Sequence, residues 1–459
     1  GKVCVMSEIN RKTAAVCTMG CKVNSYESQG MIELLERDGY TLVDFSEPAD
    51  VYLINTCTVT QIAARKSRQM IHRARNLNPE ALVVAAGCYV DRDDSLLKEG
   101  VIDLAVPNRR KKDLILYIEA KRAGKELPDP DETEPYTEMA ISRAEGGRTR
   151  AFLKVQDGCR QFCTYCIIPY VRGPLLSRPM EECVEEARIL SEAGCREIVL
   201  TGIHLSSYGR DLKEKGIHCD AGDLIAAIAA LDKVERIRLG SLEPRLITPE
   251  FLEKISGTDK LCPHFHLSLQ SGCDRTLKAM NRKYTSDEFR EAVKLLRQHF
   301  PDVAVTTDVI AGFPGETEED HLESLAFVRE MGFAEAHVFP YSRMEGTVAA
   351  RKPDQVSSDD KKRRSRELLA VTAQSSVAFM EGMQGKTVKV ILEEKDPDTG
   401  LWTGYSPNYM RIGVMLQESQ SGSDLQGQEL EVRICGYVNK RSANHDASGL
   451  DSILKGERI

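Results

Sequence analysis

The sequence has no long apolar run and no segment that resembles an export signal. No stretch approaches the roughly eighteen uninterrupted apolar residues of a membrane-spanning helix. The first residues, GKVCVMSEINRKTAAVCTMG, contain no basic segment followed by an apolar core, unlike a signal peptide. The sequence therefore predicts a cytoplasmic protein without a membrane partner.

Cysteine is too scarce for a disulfide-stabilised scaffold, and no charge of one sign dominates. The 14 cysteines among 459 residues should stay reduced in a chain without an export signal, so they are free to be core residues or metal ligands. The formal net charge is -8, so the field of the whole molecule repels polyanions. Any contact with nucleic acid must come from local basic patches.

The chain has the length and apolar content for two or three domains, with 41% hydrophobic residues. Its first region alternates short apolar runs (TAAVCTMGC, DVYLINTCTV, ALVVAAGCYV, VIDLAVPN) with amphipathic segments. This alternation predicts an α/β domain with an open parallel sheet over residues 1–135. Cys21, Cys57 and Cys88 each follow such a run, at the edge where open parallel sheets bind ligands.

A stretch rich in proline and acidic residues, from Gly124 to Arg150, interrupts this pattern and predicts a linker over residues 136–150. Six strand candidates follow it, namely AFLKVQD, REIVLTGIHL, RIRLGSLEP, HFHLSLQSG, AVTTDVIAGF and EAHVFPYS. One intervening helix should be capped by Ser177 and end at Gly194, with Cys183 on its core face. Repeated βα units predict a partial (β/α)6 barrel over 151–380, with function on the loops after its strands.

The C-terminal region changes to β-rich runs, KTVKVILEEK, TGYSPNYMRIGVML and QELEVRICGYV, which predict a small all-β barrel over 381–443. Seven Lys and Arg against nine Asp and Glu between positions 381 and 441 give RNA binding there no support from charge. Tyr405 and Tyr409 could stack on bases or pack within the barrel. The polar tail, 444–459, is predicted to be poorly ordered.

The segment DGCRQFCTYCIIPYVRG places Cys159, Cys163 and Cys166 within eight positions, directly after a predicted strand. Structural zinc takes four ligands and a redox pair takes two, so zinc would need His204 or another side chain to complete its shell. A four-iron, four-sulfur cluster held by three thiolates keeps one iron open to bind and reduce a cofactor. The pattern therefore favours an iron–sulfur cluster over zinc.

The stretch CRQFCTYC resembles the cluster loop of radical S-adenosylmethionine enzymes, CxxxCx(aromatic)C, with Tyr165 at the aromatic position. The wider string QDGCRQFCTYCIIPYVRGPLLSR is similar to the methylthiotransferase branch, whose C-terminal β-barrel is called TRAM. Within that branch, EIVLTGIHLSSYGRD resembles the enzymes that act on N6-threonylcarbamoyladenosine at position 37 of tRNA. The alternatives are an enzyme for isopentenyladenosine in tRNA or for a ribosomal-protein aspartate, and a non-catalytic iron–sulfur protein that binds RNA.

The resemblance implies S-adenosylmethionine and two four-iron clusters. The first cluster would take Cys159, Cys163 and Cys166, and the second would take Cys21, Cys57 and Cys88. A 5′-deoxyadenosyl radical would remove hydrogen from C2 of the modified adenine, and a methylthio group from the second cluster would replace it. The other cysteines are interpreted as structural: Cys4, Cys17, Cys195, Cys219, Cys262, Cys273 and Cys435.

Polar residues and glycines at the predicted strand ends are candidates to hold S-adenosylmethionine, together with Tyr165. They are Gly202, Glu243, Gln270, Asp308 and Gly312. The string around the last of these, DVIAGFPGETEED, lacks GxxxxGK[ST] and so is not predicted to be a nucleotide phosphate loop.

The resemblance also implies three partners: the anticodon loop of tRNA, an electron donor such as flavodoxin or ferredoxin, and a sulfur donor. Three basic segments could contact the RNA backbone or be solvated helix faces. These segments are ARKSRQMIHRAR, NRRKK and KKRRSR.

Overall fold

The computed structural model describes residues 12–128, 137–147, 149–416, 425–439 and 453–459. The chain forms two compact units, Gly1–Ile141 with Ile167–Arg178, and Ser142–Cys166 with Pro179–Ile459. The predicted linker, 136–150, lies partly outside the described residues. The second unit contains both the central strands and the C-terminal barrel, so this division does not separate the domains predicted at 151–380 and 381–443. Those bounds stay predictions.

The first unit is built on a parallel sheet with the strand order β2-β1-β3-β4-β5. Its strands are β1 (Thr13–Thr18), β2 (Thr41–Leu42), β3 (Val51–Thr56), β4 (Leu82–Gly87) and β5 (Leu104–Val106). The two-residue strand β7 (Leu176–Ser177) comes later in the chain and is not part of this sheet. Its helices are α1 (Lys22–Arg37), α2 (Gln61–Leu77), α3 (Cys88–Arg92), α4 (Ser95–Lys98), α5 (Leu114–Arg122) and α6 (Ile168–Arg172). The predicted open parallel sheet is confirmed.

Both faces of this sheet are covered, which is why its strands read as continuous apolar runs. Met31 and Leu35 of α1 pack with Leu114 of α5 into one core. Ile71 and Ala74 of α2 belong to the other core. The carboxyl edge of the sheet stays available for the residues that follow each strand.

The central strands of the second unit run parallel, as predicted. They are β6 (Arg150–Asp157), β8 (Glu197–Gly202), β9 (Arg236–Leu239), β10 (His264–His266), β11 (Ala304–Ala311) and β12 (Glu335–Pro340). Parallel bridges Ile237–Leu261 and Leu242–Leu267 join the β9 and β10 regions. Six successive strands with helical connections agree with the predicted partial barrel.

The helices of this unit lie between those strands, and a long helix follows them. They are α7 (Met180–Glu192), α8 (Arg210–Lys213), α9 (Ala221–Ala229), α10 (Pro249–Ile255), α11 (Asp274–Ala279), α12 (Ser286–His299), α13 (Glu318–Met331) and α14 (Ser358–Gly382). None of the helices in the described residues combines the length and apolar character that crossing a membrane requires.

Helix α7 corrects one detail of the sequence interpretation. Pro179, not Ser177, is its N-cap residue, and Ser177 belongs to β7. Gly194 follows the helix end with a φ of +97°, as its predicted role requires. Cys183 is fully buried, as expected for a core position.

The C-terminal barrel closes in the order β13-β14-β15-β17-β16. Its strands are β13 (Thr387–Lys395), β14 (Trp402–Tyr405), β15 (Arg411–Met415), β16 (Glu429–Asn439) and β17 (Ile453–Arg458). The prediction of a poorly ordered tail is wrong for β17, which pairs with β15 and β16. Its short apolar stretch was masked by the polar residues around it, and the tail residues before 453 lie outside the described residues.

The barrel covers the amino ends of the central strands through stacked tyrosines. The rings of Tyr405 and Tyr409 lie 4.5 Å apart, and the Arg150 guanidinium is 5.1 Å from each ring centre. Arg238 packs on Tyr409 and donates to Glu197. Although burial opposes ionisation, the charges of Arg238 and Arg150 lower the pKa of Glu197 to about 2. The tyrosines therefore pack internally, and only the carboxyl ends of the strands remain for a site.

We predict that Leu454→Ala weakens the barrel, because Leu454 is fully buried between β15 and β16. The free energy of unfolding should fall by about 2–5 kcal/mol, the usual cost of such a cavity. The single tryptophan, Trp402, packs against the barrel core, so its fluorescence during urea unfolding reports this change. Glu457→Ala, at a half-exposed position of the same strand, is the control. Equal effects would contradict a closing role for β17.

Candidate active site

The three clustered cysteines lie on the loop that follows β6, at the carboxyl end of the strand. Gln156 holds the start of this loop, where its side-chain Nε2 donates to the carbonyls of Asp157 and Gly158, both at 2.6 Å. Further along, Thr164 donates its backbone N–H to Met280 O at 3.0 Å and accepts one from Ala349 at 2.8 Å. The loop is thus fixed by backbone contacts to distant parts of the same unit.

The thiols of this loop lie in a partly buried environment with one buried cation. Cys159 Sγ accepts a hydrogen bond from the Gln161 N–H at 3.4 Å, and Arg282 donates to Cys163 Sγ at 3.1 Å. Burial, reinforced by the neighbouring Cys163, raises the pKa of the Cys159 thiol to about 11. Because a metal ligand must be a thiolate, loading this loop with metal must displace a proton.

Arg282 is the main residue of this site that sequence reasoning missed. Its guanidinium lies 3.3 Å from Glu243 and donates to Tyr284 Oη at 3.1 Å. Tyr284 in turn donates to Leu269 O at 2.7 Å. Arg282 stands 119 positions from Cys163, so no local spacing in the sequence could have linked the two.

Two of the predicted polar candidates form carboxylate–histidine pairs at the strand ends. Glu243 lies 3.2 Å from His204 Nε2, and Asp308 lies 3.2 Å from His266 Nε2. Burial opposes ionisation of Glu243, but His204 and Arg282 lower the pKa of its carboxyl. Glu243 is joined to the cysteine loop through Arg282, whereas Asp308 lies farther along the sheet, on β11.

The remaining candidates shape the backbone at the same strand ends. A side chain at Gly202 would come within 2.7 Å of the Gln156 amide oxygen. Gln270 has a φ of +70° and exchanges backbone hydrogen bonds with β11. The space beside Gly312 is filled by the side chain of Lys361, which an added Cβ would overlap. Tyr165 packs edge-on against Phe313, and burial raises the pKa of its phenol.

In the first unit, Cys21, Cys57 and Cys88 lie together where β1, β3 and β4 end. Cys21 is the N-cap of α1, Cys57 follows β3, and Cys88 begins α3. Burial, reinforced by the other two thiols, raises the pKa of Cys57 to about 11. Gly20 has a φ of +95°, and a side chain there would come within 2.8 Å of Cys57 Sγ. The three thiols are therefore neighbours although they lie far apart in sequence.

A buried ion network lies beside these three cysteines. Arg172 donates to Glu27 at 2.9 and 3.2 Å and to Asn24 Oδ1 at 2.8 Å. Lys111 Nζ also pairs with Glu27, and all three charged side chains are at most 2% exposed. The charge of Arg172 lowers the pKa of Cys57, against the larger effect of burial. Asp91, which accepts from Asn108, also lies close enough to feel the charges of Lys111 and Arg172. The two cations are therefore matched by two carboxylates, and Arg172 is the one whose charge reaches Cys57.

Both cysteine groups fit a four-iron cluster with one open iron, since each supplies three thiols and each thiolate would bind a different iron. In the parts of the chain that the structure describes, no three His, Cys, Asp or Glu side chains gather as ligands of a single metal ion.

The other cysteines, interpreted as structural, differ in burial. Cys195, Cys262 and Cys273 are buried, and Cys195 Sγ lies 3.2 Å from Glu197 O. Cys17 is half-buried, with its sulfur 3.8 Å from Met19 Sδ. The last three are Cys219, which is half-buried, Cys435, which is exposed, and Cys4, which lies outside the described residues.

Comparison with known proteins matches two family descriptions to this chain. Residues 153–328 match the Radical SAM superfamily, and residues 13–106 match Uncharacterized protein family UPF0004. The chain is 39% identical over 418 residues to "Threonylcarbamoyladenosine tRNA methylthiotransferase MtaB" of Bacillus subtilis, covering 89% of this chain and 92% of the relative. It is 33% identical to "tRNA-2-methylthio-N(6)-dimethylallyladenosine synthase" of Desulfitobacterium hafniense, covering 86% and 90%.

Among solved structures, the fold resembles the radical S-adenosylmethionine methyltransferase TsrM from Kitasatospora setae, with a TM-score of 0.56. The two chains are 16% identical, and the match covers 74% of this chain and 77% of TsrM. This likeness shows the fold alone.

We predict that Glu27→Gln destabilises the first unit, because it removes the carboxylate that both buried cations, Arg172 and Lys111, pair with directly. The free energy of local opening should fall by about 3–5 kcal/mol. Hydrogen exchange of α1 peptides, read by mass spectrometry, measures this directly. Asp94→Asn, which removes the exposed pair with Lys98, is the control and should cost less than about 1 kcal/mol. Similar losses in both variants would contradict the buried network.

Proposed function

Because the chain belongs to the radical S-adenosylmethionine methylthiotransferases, we propose that it transfers a methylthio group to C2 of N6-threonylcarbamoyladenosine at position 37 of tRNA. Two separate groups of three neighbouring thiols carry this proposal, since this chemistry needs one centre to make a radical and another to supply sulfur. The Bacillus subtilis relative bears the name of this activity, and it is similar to the present chain over most of both lengths.

Membership of the radical SAM superfamily implies a four-iron cluster and S-adenosylmethionine, and Cys159, Cys163 and Cys166 are the residues that would hold the cluster. When bound, the pair supplies a 5′-deoxyadenosyl radical for removing hydrogen from an aromatic carbon that has no useful acidity. Arg282 donates a hydrogen bond to the Cys163 sulfur and so places a fixed positive charge beside one of the three residues that would hold the cluster. The backbone hydrogen bonds of Thr164 with Met280 and Ala349 fix the loop that carries the three cysteines.

The carboxylates at the strand ends suit the polar parts of S-adenosylmethionine. Glu243 and Asp308 can accept hydrogen bonds from an ammonium or from ribose hydroxyls, and their histidine partners fix their orientation. Gln270 turns the backbone between them, and Tyr165 adds an apolar wall to the loop. Gly202 and Gly312 contribute by packing against Gln156 and Lys361, not by an open approach to a ligand.

A second four-iron cluster on Cys21, Cys57 and Cys88 would supply the methylthio group. The charge of Arg172 supports it, because it lowers the pKa of Cys57 and a cluster with thiolate ligands is anionic. Cys57 and Cys88 are almost completely buried, which keeps water away from them. Cys21 is exposed, so the group retains one side that a substrate can approach.

Two aromatic residues on β12 are proposed to stack on the target base. Phe339 is 47% exposed, and its ring lies 6.3 Å from that of His337 at an interplanar angle of 29°. The β11–β12 register places His337 beside Asp308 and Phe339 beside Ile310, on one face of the sheet. Single-stranded loop bases are commonly bound by such stacking.

The modified base that the chain acts on has a second candidate among the relatives. The Desulfitobacterium hafniense relative is named for dimethylallyladenosine in tRNA and covers a similar share of this chain. Modification of a ribosomal-protein aspartate is the second alternative. We also propose that flavodoxin or ferredoxin supplies the electron and that a separate sulfur donor restores the second cluster.

The first test counts iron and sulfide after anaerobic reconstitution. The native chain should hold about eight irons, and the Cys159, Cys163 and Cys166 triple alanine variant should hold about four. With S-adenosylmethionine, nucleoside mass spectrometry of threonylcarbamoylated tRNA should show a methylthio mass gain for the native chain alone. Cys183→Ala, at a buried cysteine outside both groups, is the control. Four irons or zinc in the native chain would refute the two-cluster proposal.

Substrate choice is tested in the same assay with tRNA carrying either modification. Product on dimethylallyladenosine alone would assign the chain to the enzymes that modify that base. Eight irons without any RNA product would favour a ribosomal-protein aspartate as the substrate.

We predict that Phe339→Ala weakens productive binding of the target base. Loss of one stacking contact costs about 1–3 kcal/mol, so kcat/KM for an anticodon stem-loop should fall by roughly 5- to 150-fold. Iron content and S-adenosylmethionine cleavage without RNA should not change. Leu322→Ala, at a similarly exposed apolar residue on α13, is the control. An unchanged kcat/KM in Phe339→Ala would exclude the stacking role.

A further inference from the structure

The three basic segments of the sequence differ in how many of their Lys and Arg side chains are paired within the protein. In the segment NRRKK, Lys111 is buried against Glu27 and Arg110 lies 3.1 Å from Asp113. Its first arginine, Arg109, donates to the carbonyl of Arg172. These cations are committed to the interior of the first unit, so they are poor contacts for a polyanion.

In the segment KKRRSR, on α14, the central arginines are also committed. Arg364 is buried, with Glu316 at 2.9 Å, and Arg363 pairs with Glu318 at 2.6 Å. The outer residues Lys362 and Arg366 are exposed. The central arginines of this segment therefore join α14 to the start of α13, and its exposed charges are those of Lys362 and Arg366.

The segment ARKSRQMIHRAR, on α2, differs from both. The helix contains no acidic residue, and five of its basic side chains are exposed. They are Arg65, Lys66, Arg68, His72 and Arg73, here called the basic face of α2. Arg65, Lys66 and Arg73 form no ion pair with any residue that the structure describes. Arg68 lies over the ring of Tyr89 at 5.8 Å.

The packing of α2 explains why these charges face outward. Its buried positions are Ala64, Ser67, Ile71 and Ala74, which recur at helical spacing and rest on the sheet. The opposite side of the helix must then carry the charged residues. From Arg65 to Arg73 the helix rises about 12 Å, enough to follow several phosphates of one strand. Most of these side chains also line an open groove together with Gln69 and Asn76.

The basic face of α2 lies close in sequence to the group formed by Cys21, Cys57 and Cys88. The helix begins at Gln61, four residues after Cys57. Between them, Thr58 is buried but Val59 is 48% exposed, and Ile62 on the first turn is 69% exposed. Exposed apolar residues next to a basic stripe suit a nucleic acid, whose bases and backbone need the two kinds of contact.

We propose that the basic face of α2 binds the phosphate backbone of tRNA next to the base that is modified. This proposal rests on the proposed function for its ligand, and it adds a contact surface in the first unit. A chain with a net charge of -8 repels RNA at long range, so binding has to rely on a local group of unpaired cations. Each phosphate contact releases condensed counterions, which makes the binding measurable through its salt dependence.

The experiment compares two triple variants of the full, reconstituted chain. The first carries Arg65→Gln, Lys66→Gln and Arg73→Gln on the basic face. The matched control carries Arg329→Gln, Lys362→Gln and Arg366→Gln, three exposed residues of α13 and α14. Both variants lose the same net charge, so they differ only in where the charge is removed.

Fluorescence anisotropy with a labelled anticodon stem-loop gives Kd over a range of salt concentrations. In the basic-face variant, Kd at 0.15 M salt should rise by about 10-fold or more, and the slope of log Kd against log salt should fall by about 2–3. The control should keep the native slope. Iron content must stay native in both, which shows that the cysteine group next to α2 is intact.

An unchanged slope in the basic-face variant would overturn the proposal, as would equal losses in the two variants, since these would reflect net charge alone. A native chain that binds no tRNA would overturn both this proposal and the proposed function. Native binding without methylthiolated product would overturn the proposed function and leave the assignment of the surface standing.

Discussion

The site depends on one constraint of parallel sheets, which is that all their strands end at the same edge. In the first unit, β1, β3 and β4 are neighbours in the sheet, so the residues that follow them meet although Cys21, Cys57 and Cys88 are separated by more than thirty positions each. In the second unit the same geometry places the cysteine loop after β6 near residues that follow β9 and α11. The group of Cys21, Cys57 and Cys88 would not form if β1, β3 or β4 ran in the opposite direction.

The two thiol groups share an electrostatic design. In each, a buried arginine joins a carboxylate and also acts on a cysteine: Arg282 with Glu243 and Cys163, and Arg172 with Glu27 and Cys57. A buried arginine without a carboxylate would be costly to desolvate, and a carboxylate alone would disfavour thiolates. The pairing keeps the cation in place and leaves part of its charge available to the sulfur atoms.

The sequence was sufficient to predict what local patterns encode. The apolar runs predicted the parallel strands, and the spacing of Cys159, Cys163 and Cys166 predicted their loop after β6. It was not sufficient where a role depends on distant contacts, as for Arg282, or on closure of a barrel. The polar surroundings of Ile453–Arg458 hid a strand that is stable only because β15 and β16 lie on either side of it.

The roles of Tyr405 and Tyr409 also depend on distant contacts and could not be predicted from the sequence. As a sequence, aromatic residues in a C-terminal barrel fit base stacking and internal packing equally well. The stacking of both rings with Arg150, and of Tyr409 with His264, uses their faces inside the second unit. The arginines at the centre of the segment KKRRSR, Arg363 and Arg364, likewise pair with carboxylates of the same unit. For a chain with a net negative charge, the surface available to RNA is therefore set less by how many cations it has than by which cations the fold leaves unpaired.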